Sequence, residues 1–170
     1  MTRESSIALR FEELTEPLDR WRGPTVEVAG LGVPPHITLL YPWRQAPLQA
    51  SDIAELEQLL QSFDPFSLCF DRVETFESGV VFLALADERP TRALMKAIFN
   101  AFPDTPPYGG EFADPSPHLT VAKCRPEALD QLKDEVSDAF VLPRTFHIQE
   151  VVVMEEQTDG QWLNRHVLRL

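Results

Sequence analysis

Four residues with chemical reach fall into two matching groups: His36 and Thr38 in PPHITLLYP, and His118 and Thr120 in PSPHLTVAK. Each group reads Pro-His-apolar-Thr-apolar. Successive side chains of a β-strand point to opposite faces, so each His shares a face with its Thr while Ile37 and Leu39, or Leu119 and Val121, point away. Each strand then offers one imidazole and one hydroxyl, roughly 7 Å apart, above an apolar underside. Two such strands side by side make a four-pronged polar site. An imidazole titrates at about pH 6.5, so a pair can supply both a base and an acid near neutrality. Hydrolysis of a phosphodiester needs that division: a base takes the proton of water on one side of phosphorus, and an acid protonates the departing oxygen on the other. The hydroxyls can donate to the non-bridging oxygens and hold the phosphate in line. His147 and His166 have Gln149 and Leu168 two places on, and read as structural or surface residues.

Other chemistries fit less well. There is no nucleophile-elbow pattern, and Cys124, six residues after His118, has no identifiable partner. A metal site on His36 and His118 would want carboxylate or thiolate companions where the sequence has hydroxyls. No phosphate-cradling glycine loop occurs. The expectation is a site that uses neither metal nor cofactor.

The motif strands need a core, and the surrounding pattern supplies one. Residues 7–11 read as a first strand, and Thr15 with Pro17 starts a short helix that turns Leu18 and Trp21 inward. Residues 25–28 read as a further strand segment. The first motif strand spans residues 35–43. By strict alternation Tyr41 falls opposite His36 and packs beneath the site, while Arg44, just beyond, either reaches a phosphate or stands solvated. Residues 51–63 are apolar at helical spacing, with Asp52 and Glu55 as a capping box. Phe66–Phe76 and residues 79–86 form a hairpin, and Pro90 opens a second helix. Residues 103–117 form a long Pro- and Gly-rich loop that delivers the chain to His118. Its Tyr108 and Phe112 either stack on a ligand ring or pin the loop. Pro126 starts a third helix, and residues 144–155 and 161–170 read as two closing strands.

The motifs lie about half the chain apart, so the expected class is α+β. A bilobal, pseudo-symmetric arrangement follows, with antiparallel sheets, flanking helices and a central cleft, in one domain over residues 1–170. The net charge of −12 repels long polyanions, which disfavours long duplex nucleic acid as a partner but leaves a small or terminal phosphate open. Cys69 and Cys124 are the only cysteines, without CxxC spacing, which points to free thiols in a reducing compartment. The N-terminal stretch lacks a signal-peptide apolar region, and the longest apolar run, residues 80–86, is too short for a membrane span. A cytoplasmic monomer without membrane contact is expected.

The paired motifs HITL and HLTV resemble those of the two-histidine phosphoesterase superfamily, which includes the RNA 2′,3′-cyclic phosphodiesterases also called 2′-5′ RNA ligases. The stretches GVPPHITLLYPW, FSLCFDRVETFESGVVFLAL and FPDTPPYGGEFADPSPHLTVA are similar to its bacterial 2′-5′ RNA ligase branch, so the resemblance covers most of the chain. It implies a bilobal fold with a central cleft, and metal-independent hydrolysis of a 2′,3′-cyclic phosphate, on an RNA 3′ end or a small nucleotide, to a 2′-phosphate. It also implies that His36 and His118 are the acid/base pair and that Thr38 and Thr120 bind the phosphate. Many relatives carry a basic residue five positions after the second His, which here is Lys123; the matching place in the first motif holds Tyr41. Two other functions would use the same residues: a module that binds a nucleotide or RNA end without turnover, and 2′-5′ ligation as the reverse reaction.

Overall fold

Eight strands and four helices make up the computed structural model, which describes residues 3–112 and 114–170. The strands are β1 (Ser5–Arg10), β2 (His36–Leu40), β3 (Phe66–Phe76), β4 (Val80–Leu85), β5 (Leu119–Lys123), β6 (Arg144–Ile148), β7 (Glu150–Glu156) and β8 (Trp162–Arg169). The helices are α1 (Thr15–Thr25), α2 (Ala50–Leu60), α3 (Arg89–Ala101) and α4 (Leu129–Ala139). All strand pairs are antiparallel, in one sheet of order β6-β3-β4-β5-β2-β1-β7-β8. The order is symmetric about the seam between β5 and β2, so each motif strand heads a set of four.

Each set draws on both halves of the sequence. β2 shares its side with β1 and the C-terminal β7 and β8, while β5 shares its side with β3, β4 and β6. The run 144–155, which reads as one strand, breaks at Gln149 into β6 and β7 on opposite sides of the seam. Burial marks the change: β6 alternates between half-buried and exposed residues up to Ile148, whereas Val151 to Met154 are all buried. Since Gln149 alone separates strands at or near opposite edges, the sheet has to curl until its ends approach each other. Phe146 of β6 duly packs edge-on against Phe11, just beyond β1, at 5.0 Å.

The helices cover the apolar face, and two of them cross the seam. α1 packs on β5, and α3 packs on β2. Leu18 and Trp21 from α1 and Leu94, Met95 and Ile98 from α3 join Ile37, Leu39, Leu119 and Val121 in one buried cluster. Each such aliphatic side chain contributes about 1.5–3 kcal/mol on burial, so the undersides of both motif strands are firmly anchored.

Three local expectations change. Residues 25–28 end α1 and enter a short 3-10 turn, Glu27–Ala29, because β2 and β7 already occupy both edges of β1 and leave a further strand without a partner. At α2 the Gln49 N–H donates to Asp52 Oδ2 at 3.1 Å, so Asp52 caps backwards to Gln49 and not forwards to Glu55. Pro126 opens a 3-10 turn, Pro126–Ala128, and α4 starts only at Leu129. Gly79, at the tip of the β3–β4 hairpin, has φ +97° and lies where a Cβ would overlap the Cys124 carbonyl, so only glycine lets the hairpin close on the end of β5. Among the described residues no helix is long and apolar enough to cross a membrane.

Candidate active site

The antiparallel register pairs Ile37 with Leu119 across the seam. Continued by one residue either way, it sets His36 opposite Thr120 and Thr38 opposite His118. Each imidazole thus has the other strand's hydroxyl as its cross-strand neighbour, and the two histidines lie on a diagonal of about 7–8 Å.

Both motif strands carry the same irregularity one residue after the Thr. β1 pairs Ile7 with Leu40 and Ala8 with Thr38, which leaves Leu39 as an extra residue. β4 pairs Val81 with Ala122 and Phe82 with Thr120, which leaves Val121 extra in the same way. A bulge of this kind resets the alternation of faces. Leu39 and Leu40 are both buried, as are Val121 and Ala122, so Tyr41 and Lys123 emerge on the side of His and Thr. Tyr41 therefore lines the cleft instead of packing beneath it, and its hydroxyl donates to Glu4.

These side chains face a cavity of about 760 Å³. His36, Thr38, Tyr41, His118, Thr120 and Lys123 line it from the strands, and Tyr108 and Phe112 line it from the loop between α3 and β5. Tyr108 takes a left-handed φ of 51°, its amide donates to the Tyr41 carbonyl at 2.6 Å, and its phenol lies beside Thr38. Burial raises the Tyr108 pKa, so the phenol stays protonated. Phe112 is 51% exposed and stands edge-on to Tyr108 at 5.6 Å. Ala113 of this loop lies outside the described residues. Arg44 is absent from the cavity wall: its guanidinium is held by Asp104 at 2.5 Å and Asp52 at 3.4 Å, over the Phe102 ring, so the expectation that it reaches a phosphate is corrected.

The histidines are held alike. His36 Nδ1 lies 2.8 Å from the Pro34 carbonyl and His118 Nδ1 lies 2.8 Å from the Ser116 carbonyl. A carbonyl can only accept, so both rings carry their proton on Nδ1 and leave Nε2 for exchange. Burial lowers both pKa values. His36 falls to about 4, its Pro34 bond opposing burial while the charges of Arg22 and His118 add to it. His118 is lowered by burial against its Ser116 bond. Phe76 stacks on Phe82 at 4.2 Å and stands edge-on to the His118 ring at 4.9 Å, which gives that imidazole an apolar wall.

Several cavity residues escape sequence reasoning. Phe76, Ser78 and Val80 come from the β3–β4 hairpin, and Glu111 and Asp114 from the loop. Arg22, on α1, is only 5% exposed; it donates to the Val33 carbonyl at 2.9 Å and the Pro34 carbonyl at 3.0 Å. No spacing rule links it to His36. Among the described residues no group of three or more His, Cys, Asp or Glu is arranged to hold a metal ion.

A family model described as the 2′-5′ RNA ligase superfamily matches residues 5–160. The chain belongs to this superfamily. Its fold is that of the two-histidine phosphoesterases. Escherichia coli LigT complexed with 3′-AMP superposes with a TM-score of 0.64 at 16% identity, over 100% of this chain and 99% of that one. TT0787 of Thermus thermophilus gives 0.65 at 16% identity, over 98% and 97%. Kluyveromyces marxianus Usb1 with uridine monophosphate gives 0.50 at 12% identity, over 99% of each. No curated protein matches the chain significantly. At identities of 12–16%, the likeness to these solved structures is one of backbone plan.

Proposed function

We propose that this two-histidine phosphoesterase, acting as one two-lobed unit, hydrolyses the 2′,3′-cyclic phosphate of a small nucleotide or RNA end to a 2′-phosphate. The observation that carries the reading is the duplication: two histidines on adjacent antiparallel strands, each with Nδ1 tied to the carbonyl two residues before it and each facing the other strand's threonine. With a cyclic phosphate between the rings, the neutral imidazole takes a proton from the attacking water as its oxygen bonds to phosphorus. The bond from phosphorus to O3′ breaks on the far side, and the protonated imidazole gives its proton to O3′. Thr38 and Thr120 donate to the non-bridging oxygens and keep attack in line. The anionic phosphate raises both depressed histidine pKa values back toward the ordinary range, because a negative neighbour favours the imidazolium. Lys123 adds positive charge at the rim, and Tyr41, Tyr108 and Phe112 offer surfaces to the sugar and base. The scheme routes no step through a metal.

The net charge of −12, with Glu111 and Asp114 on the cavity wall, favours small ligands over long RNA. LigT, similar in fold, has been crystallised with 3′-AMP and with ATP, both small nucleotides. The test is incubation of the protein with 2′,3′-cyclic AMP and a cyclic-phosphate-ended RNA, in a chelator, beside His36→Ala and His118→Ala. Conversion to 2′-phosphate by wild type alone supports the reading. Binding without conversion would replace it with a nucleotide-binding module.

A further inference from the structure

Arg22 is a buried cation in an acidic protein, and none of the ion pairs among the described residues includes it. Burial of a charge without a carboxylate is expensive, which makes the arrangement one that needs a reason. Its Nη atoms are committed to the Val33 and Pro34 carbonyls, while its Nε is buried with no partner. The Pro34 oxygen is the one that accepts from His36 Nδ1, so its two lone pairs serve Arg22 at 3.0 Å and His36 at 2.8 Å. The guanidinium thus clamps the chain just before β2 and lines the same cavity as the His36 ring.

We propose that Arg22 is the positioning residue of the first half-site: by gripping Pro34 O it locks His36 in the Nδ1–H form, and its fixed positive charge makes His36 the proton acceptor of the pair. The second histidine then takes the opposite part. His118 has Ser116 O as its acceptor, and the arginine on that side, Arg92, donates instead to the Ser116 hydroxyl at 2.9 Å and is neutralised by Glu88 and Asp114. The other titratable groups facing this cavity are His118 and Lys123 of β5, Tyr41, and Tyr108, Glu111 and Asp114 of the loop. Arg10, opposite His36 on β1, is engaged by Glu12, and Glu12 and Asp19 share a surface pocket with Arg22 without forming an ion pair to it. Arg22 is the one among them that shares an acceptor with the His36 ring.

The kinetic consequence rests on the phosphodiesterase reading; the tautomer does not. Imidazole 15N shifts of free wild type, Arg22→Met and Arg22→Lys are therefore recorded across pH alongside turnover of 2′,3′-cyclic AMP. Wild-type His36 and His118 should both show Nδ1 protonated when neutral. In folded Arg22→Met, His36 should become a tautomer mixture and titrate at higher pH while His118 is unmoved; kcat should fall about 10- to 100-fold and the acid limb of the pH profile should rise. Arg22→Lys keeps the charge without the two-carbonyl fork, so it should lose kcat but keep the wild-type acid limb. A folded Arg22→Met with unchanged His36 tautomer and titration would overturn the proposal; if that variant does not fold, wild-type kcat in Arg22→Lys would do so. Absence of turnover in wild type would sink the phosphodiesterase reading alone, since the 15N spectra still decide the role of Arg22.

Discussion

The carbonyl that orients His36 is also gripped by a buried arginine, whereas the arginine near His118 reaches only the hydroxyl of Ser116 and is 33% exposed. Arg22 makes no ion pair among the described residues, while Arg92 makes two. The strands, the bulges and the Nδ1 anchors are nearly superposable in kind; the braces behind them are not. An uncompensated cation disfavours a second positive charge nearby, and a compensated one does so far less. A duplicated scaffold thereby yields two inequivalent imidazoles. Acid–base catalysis needs that inequality, because one ring has to be neutral when the other is charged.

The comparison can be broken most sharply at the histidines. His36→Ala and His118→Ala should each lower kcat by about 10²–10⁴, roughly 3–5 kcal/mol of barrier, and the double variant should lose little more than either single one. A histidine whose loss leaves kcat within tenfold of wild type would end the paired reading. Next come the hydroxyls. Thr38→Val and Thr120→Val, each removing one donor to the phosphate, should cost about 10- to 100-fold in kcat/KM on 2′,3′-cyclic AMP, with the larger loss marking the hydroxyl that bonds more strongly in the transition state. The braces sharpen the contrast. Arg92→Met should lower kcat less than about threefold, because the Ser116 carbonyl still holds His118; a loss as large as that of Arg22→Met would make the two sides equivalent after all.

Stability gives the smallest effect. His36 sits at about 4 in the folded chain against an ordinary 6.5, so the folded state resists a proton that the unfolded state accepts. Its contribution is undiminished above pH 6.5, declines as pH falls from about 6.5 to about 4, and is constant below. His118, also lowered, acts in the same direction. As pH falls through this window, the melting temperature of wild type should drop more steeply than that of His36→Asn; parallel curves would show that His36 titrates normally.

Much of the site was legible because it lies in one strand turn of sequence. His36, Thr38, His118 and Thr120 are within three residues of each other in each motif, where β periodicity alone puts them on one face. The hairpin Phe66–Phe76 with β4 was equally plain, as was the apolar face of α2. What stayed hidden depends on pairing. The bulges at Leu39 and Val121 exist only relative to β1 and β4, so the single-strand parity that put Tyr41 underneath had nothing to correct it. Arg44 looked free because its acceptors, Asp52 and Asp104, come from distant segments. The break at Gln149 carries no Gly or Pro to announce it. Nothing in the sequence pattern singles out Arg22, and only the folded chain brings it to Pro34 O.

Across the seam β2 and β5 share one registered pair, while every other neighbouring pair of strands shares four or more. In mechanical terms the molecule is two stiff plates joined along a compliant line, with α1 and α3 strung across it as springs. On the proposed reading, opening or closing that line changes the gap between the two imidazoles, the coordinate along which a phosphate would enter, be gripped and leave.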